Sequence, residues 1–185
     1  MPSRAPDRDG AFMERSYHLT GPRIALMVPP EGEPVSKLRD RIRMTDEDAW
    51  DFIASRKAMQ TATLNRDGSP HLTTNWFAIV GRQILFETYT KSQKIVNLRR
   101  DARIALLWED GELYGELRGV SMNGAVTLID DFERVADLAQ HVVRRNYPET
   151  PESEVGEAAR GLARKRTGVV VRPEKIFSWD HRKLT

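Results

Sequence analysis

Cysteine is absent from the 185-residue chain. That removes disulfides and thiolate metal ligands, and it fits a reducing compartment. Long apolar runs are missing too: none approaches the ~18 residues that a membrane helix needs. The opening Met1–Gly10 carries no apolar segment of the kind a secretory signal has. The expectation is a cytoplasmic protein with no membrane partner. Histidine is scarce, and the four present (His18, His71, His141, His181) show no i, i+3 or i, i+4 pairing, so no metal site is expected. Walker loops, Gly-x-Gly-x-x-Gly and Gly-x-Ser-x-Gly are all absent. An excess of one charge is lacking as well, since the net charge is only +2. Two basic clusters, Arg99-Arg100 with Arg103 and Arg160 with Arg164-Lys165-Arg166, have no interleaved aromatic residues. No nucleic-acid partner is expected from them.

What is present reads as one domain behind an arm. Residues 1–44 are rich in Pro, Gly and Arg without a sustained period, and are expected to form an irregular N-terminal arm in which Ile24–Val28 is a short strand or a packing segment. Thr45 opens a helix as its N-cap, with Asp46, Glu47 and Asp48 in the first turn and Trp50, Ile53 and Ala54 as its apolar face. From Ala58 the period becomes two. Asn65-Arg66-Asp67-Gly68-Ser69 turns the chain into a return strand from Pro70 to Val80, and a third strand follows from Gln83 to Tyr89. Ala102–Trp108 is a fourth, and Leu113–Ile129 holds one or two more, interrupted by Gly115, Gly119 and Gly124. Asp130-Asp131 caps a helix from Phe132 to Asn146, and Glu154–Arg166 is a second, charged helix. Thr167–Pro173 is the last strand, closed by Pro173, with Lys175–Trp179 beyond the break. About six or seven short strands with local helical inserts predict a mainly β (α+β) fold, an antiparallel barrel with peripheral helices.

The centre of this arrangement is Glu87–Asp101. A strand passes through hydroxyl residues into a short helix whose N-cap position is Ser92, with Lys91 and Lys94 beside it. Free N–H groups and the positive end of the helix dipole favour an anion there. An ordinary strand–turn–helix with solvated lysines has the same pattern, and the residues alone leave both readings open.

The stretch Thr63-Leu64-Asn65-Arg66-Asp67-Gly68-Ser69-Pro70-His71-Leu72, followed after a strand by Lys91-Ser92-Gln93-Lys94-Ile95-Val96-Asn97-Leu98-Arg99-Arg100-Asp101, resembles the pyridoxamine 5′-phosphate oxidase-like family, and within it the flavin/deazaflavin oxidoreductase branch. Ser178–Leu184 is similar to the end of that branch, and the resemblance spans residues 44–184. It implies a split antiparallel β-barrel over residues 45–185, a homodimer that holds FMN or deazaflavin coenzyme F420 in clefts between its subunits. It places the cofactor phosphate at Ser92 and Lys94, with Thr88, Tyr89, Thr90 and Lys91 adjoining, and the ring along Thr73, Thr74, Asn75 and Trp76. Trp179 and His181 are weaker candidates for the substrate cleft. The chain ends in Asp-His-Arg-Lys-Leu rather than the Arg-Leu-x-Pro type of segment that grips pyridoxal phosphate, so vitamin oxidation itself is not expected.

The resemblance implies hydride transfer to or from a small conjugated substrate, with the chemistry belonging to the cofactor. No catalytic residue is assigned, and Tyr89, His181 and solvent stand as alternative proton donors. The alternative from another class is a non-catalytic protein that binds or carries FMN, deazaflavin or haem.

Overall fold

The computed structural model describes residues 35–184, so the expectations for the start of the arm, Ile24–Val28 among them, lie outside the described residues. The elements in chain order are α1 (Val35–Ile42), α2 (Asp46–Ser55), β1 (Ala58–Leu64), β2 (Pro70–Trp76), β3 (Ala78–Val80), β4 (Gln83–Tyr89), α3 (Gln93–Arg100), β5 (Arg103–Asp110), β6 (Arg118–Ile129), α4 (Phe132–Asn146), α5 (Glu152–Ala163) and β7 (Arg166–Asp180). Short 3₁₀ turns stand at Tyr114–Glu116 and His181–Leu184.

The strands form one antiparallel sheet in the order β2-β1-β5-β6-β7-β4-β3. The two edge strands, β2 and β3, are consecutive in sequence and separated only by Phe77. The sheet therefore curls until its edges meet at that residue, without closing. Past Leu85 no strand pairs with the β3 side of β4, because the β3–β4 register ends at Ala78↔Leu85. β2 and the end of β4 thus flank an open seam.

Alternation decides which side chains fill the barrel. Met59, Thr61 and Thr63 of β1 point inward with Ile104, Leu106 and Trp108 of β5 and Val120 and Met122 of β6. Phe77, Phe86, Val169 and Val171 complete the interior, and Phe52 and Ile53 of α2 cap it. Each such side chain contributes about 1.5–3 kcal/mol by leaving water. Thr45 does cap α2, its hydroxyl accepting the Asp48 N–H at 3.1 Å. The buried face of that helix is Ala49, Phe52 and Ile53, while Ala54 is exposed. α4 lays Leu138 and Val142 on Ala78 and Leu85 outside the barrel, and its far side packs Ala139 and Val143 on Val155 and Ala159 of α5. Asp131 caps α4 by accepting the Arg134 N–H at 3.0 Å.

Three sequence expectations change. Val35–Ile42, inside the segment expected to be irregular, is a helix. Leu113 opens a 3₁₀ turn rather than a strand, and β6 then runs unbroken through Gly119, where a Cβ would stand 2.3 Å from the Trp179 ring. Pro173 does not end the last strand. Asn123 pairs with Lys175 and Gly124 with Pro173, so Glu174 is the extra residue of a bulge and β7 continues to Asp180. A bulge is where a strand tolerates a proline that cannot donate.

Candidate functional site

The seam between β2 and β4 opens into a cleft of about 280 Å³. Thr74, Asn75 and Trp76 of β2 line one side and Glu87, Thr88 and Tyr89 of β4 the other, with Lys94 of α3 between them. Val142, Tyr147, Leu162 and Arg166 close the side toward the helices. Six of the sequence-predicted residues (Thr74, Asn75, Trp76, Thr88, Tyr89, Lys94) thus meet in one cleft.

Lys94 is the residue that spans the seam. Its ammonium donates to Asn75 Oδ1 at 2.7 Å on β2 and reaches Thr88 Oγ1 at 3.5 Å on β4. The side chain is 8% exposed, and burial pushes its pKa down from the ordinary lysine value. Among the described residues no carboxylate forms an ion pair with it. The sequence suggests a surface lysine with a packed stem; the structure instead holds a buried cation with neutral partners. Isolating a charge in this way costs several kcal/mol unless something compensates it.

α3 reaches this position because Asn97 anchors it. Fully buried, Asn97 donates to Thr63 Oγ1 at 3.1 Å and Asn65 Oδ1 at 3.0 Å, and accepts from Gln93 Nε2 at 2.9 Å. The hairpin it grips is itself fixed by Asp67, which accepts the Ser69 N–H at 3.0 Å, and by Gly68 at φ +84°. On the other wall, Asn146 of α4 donates to the Phe77 carbonyl at 3.1 Å, which places Tyr147 edge-on against Trp76 with ring centroids 5.1 Å apart. Nothing in the sequence singles out Asn97 or Asn146. A buried asparagine has no periodic signature that separates it from a surface one.

Ser92 occupies the N-cap position of α3 with extended backbone, but its hydroxyl does not accept a first-turn N–H. The N-cap position is the expected one; the bond from the serine hydroxyl is not made. The Ser92 Oγ is buried and has no hydrogen-bond partner among the described residues. The N–H groups of Gln93 and Lys94 precede the first hydrogen bond of the helix, which runs from Ile95 to the Ser92 carbonyl at 3.0 Å. Ser92 itself does not line the cleft; Lys94, two residues on, is the part of this turn that does.

The remaining predicted residues sit around the cleft or away from it. Thr73 shares the inward-facing row of β2 with Asn75, and its Oγ1 is buried without a partner among the described residues. Thr90 Oγ1 lies 3.1 Å from Thr167 Oγ1, in a chain that continues through Asp130 to the bidentate Arg99. Lys91 is exposed. Trp179 and His181 are not brought to this cleft within the chain. Arg166 pairs with Tyr89 at one end of β7, whereas Trp179 pairs with Gly119 near the other. There Trp179 and His181 line a groove with Arg39 and Arg43, and His181 Nδ1 stands 2.9 Å from the Tyr114 carbonyl.

A larger hollow of about 520 Å³ lies between α2 and α4, but Arg82 and Arg144 there are ion-paired with Asp46 and Glu152. Arg145, also in that hollow, instead donates to the Ala54 and Arg56 carbonyls.

The chain matches the family model of pyridoxamine 5′-phosphate oxidase over residues 45–180. Among solved structures it is similar to a conserved hypothetical protein, Rv2991, from Mycobacterium tuberculosis, with 39% identity over 79% of this chain and 91% of that one and a TM-score of 0.73. It also resembles a protein described as an F420 reductase (23% identity, 71% and 98% covered, TM-score 0.56) and HutZ, a haem storage protein from Vibrio cholerae (15% identity, 72% and 94% covered, TM-score 0.55). At those lower identities the likeness is one of fold. No curated protein matches the chain.

Proposed function

The chain belongs to the pyridoxamine 5′-phosphate oxidase family, flavin- or deazaflavin-binding proteins of split-barrel fold, and from that premise we propose an oxidoreductase that binds FMN or deazaflavin coenzyme F420 in the β2–β4 seam and passes hydride to or from a small conjugated substrate. The observation that carries this reading is the buried Lys94 ammonium without a carboxylate. A cofactor phosphate would supply the missing charge, and the Ser92 hydroxyl and the first N–H groups of α3 would donate to it. The residues present therefore fit the phosphate end of the group. Thr74, Asn75 and Trp76 of β2 would hold its ring from one wall and the unpaired edge of β4 at Phe86–Tyr89 from the other. When bound, the flavin or deazaflavin supplies the hydride chemistry, and this chain binds, orients and excludes water. Among the described residues the usual haem ligands that line the cleft are tyrosines, which favours a flavin-type group over haem.

One observation beside the cleft supports a homodimer within this proposal. The outward row of β2, β1 and β5 (Leu72, Ala62, Leu64, Ala105, Leu107) carries apolar side chains that α4 and α5 do not cover, with Leu72 67% exposed. Thr74 and Trp76 continue that row into the cleft, so a second copy docked there reaches its mouth.

The test is redox turnover by the purified protein. Reduced FMN or reduced F420, with an electron acceptor such as a quinone, should be oxidised in a protein-dependent way. Tight binding without turnover over a broad acceptor panel would favour the carrier function instead.

A further inference from the structure

In the hollow between α2 and α4, Arg145 is the cation without a counter-charge. Trp50, Asp51 and Ala54 of α2, Ile79 of β3 and Arg144 and Arg145 of α4 are among the residues that line this space of about 520 Å³. Arg82 pairs with Asp46 and Arg144 with Glu152. No carboxylate pairs with Arg145 among the described residues, and burial pushes its pKa down from the ordinary arginine value. Its Nη2 donates to the Ala54 and Arg56 carbonyls at 2.9 and 2.6 Å, and its guanidinium lies over the Phe77 ring, 4.4 Å from the centroid. These contacts explain why an arginine is held there, since the carbonyls at the end of α2 favour a cation. They leave Nε buried without an acceptor, and Nη1 without a hydrogen bond among the described residues.

A second donor of the same hollow is in the same condition. Trp50 is half-buried, and its Nε1 is buried with no acceptor among the described residues. Buried donors are nearly always paired, so two unmet ones beside an unneutralised guanidinium call for a reason. An anionic acceptor would answer both. The walls around them, the Trp50 ring with Ala54, Ala78 and Ile79, are apolar and suit a ligand with an apolar body. Charge sets the kind of anion. Asp51 also lines the hollow, exposed and without an ion pair among the described residues. A dianion such as a phosphate ester would meet that like charge with one uncompensated cation to hold it. A single carboxylate matches a single guanidinium.

We propose that the α2–α4 hollow is a second ligand site, for a monocarboxylate with an apolar body such as an arylacetate. The carboxylate takes the unmet donors of Arg145 and Trp50, and the body lies along the Trp50 ring, Ala78 and Ile79. The hollow shares no lining residue with the β2–β4 seam, so the site stands whether or not the seam holds a flavin.

The experiment titrates 1-naphthylacetate and its neutral counterpart 1-naphthylacetamide into the full-length protein, followed by the NMR signals of the four tryptophan indole N–H groups. The Trp50 signal is the one that Trp50→Phe lacks, and Trp76→Phe identifies the signal from the seam in the same way. Adding the carboxylate should move the Trp50 signal. The wild type should bind the carboxylate about ten- to a hundredfold more tightly than the amide, the usual span for a hydrogen bond between charged groups. Arg145→Gln should bring that ratio close to one. Trp50→Phe keeps a ring in the wall and should weaken carboxylate binding about two- to tenfold, as expected for one neutral donor lost. If Arg145→Gln does not fold, the wild-type ratio and Trp50→Phe still decide. No binding, a wild-type ratio near one, an unchanged ratio in Arg145→Gln or an unchanged affinity in Trp50→Phe would overturn the proposal. So would movement of the Trp76 signal in place of the Trp50 signal, which would put the carboxylate in the seam.

Discussion

At the scale of single residues, Lys94 carries the account. Replacing it with Met keeps the stem packed and removes the charge. The unliganded protein should then keep its stability to within about 1 kcal/mol, because losing the Asn75 and Thr88 contacts is offset by no longer burying an ammonium. Affinity for FMN or F420 should fall about ten- to a hundredfold. Denaturant unfolding and fluorescence titration measure the two effects separately, and a large stability loss would mean that the lysine is structural. Arg99→Ala, which breaks only an exposed bidentate pair with Asp130, should change affinity little. Titration gives a second check. Burial lowers the Lys94 pKa in the folded state, so between that lowered value and the ordinary 10.5 the unfolded chain binds more protons than the folded one. Unliganded stability should therefore rise with pH across that interval, while cofactor affinity falls as the ammonium is lost. Lys94→Met should flatten both trends.

At the scale of elements, the decisive piece is α3 and its anchorage. Asn97→Ala removes two donated bonds and one accepted bond in the interior, and should cost about 2–3 kcal/mol by chemical denaturation. It should also weaken cofactor binding although Asn97 does not line the cleft. Unchanged affinity would show that α3 is held by Ile95 and Leu98 packing alone. The strand–helix stretch from Glu87 to Asp101 was legible in the sequence because hydrophobic period, turn residues and lysines all pointed the same way. The hairpin at Asn65–Ser69 and the Thr45 and Asp131 caps were legible for the same reason. What could not be read depended on contacts distant in sequence. Gly119 looked like a break until Trp179 is seen packed on it, and Pro173 looked like a stop until the β7 bulge absorbs it. Ser92 holds the N-cap position that the sequence indicates, but its hydroxyl takes no first-turn N–H.

At the scale of the molecule, the alternation of β1, β2 and β5 predicts how copies associate. Leu72→Asp places a charge on the uncovered apolar row beside the cleft, away from the barrel interior. It should shift a micromolar sample from dimer to monomer in sedimentation velocity, with little effect on secondary structure. A wild-type monomer that binds cofactor with full stoichiometry would refute the shared cleft. The barrel was legible from strand count and turn spacing, but its seam was not, since no single residue announces that β3 stops covering β4 after Leu85. The most direct test of the whole account is the mass of the small molecule released when purified protein is denatured, wild type beside Lys94→Met. The wild type should release FMN or F420 near one per chain and the variant a small fraction of that. Release of no flavin or deazaflavin, or equal amounts from both proteins, would contradict it.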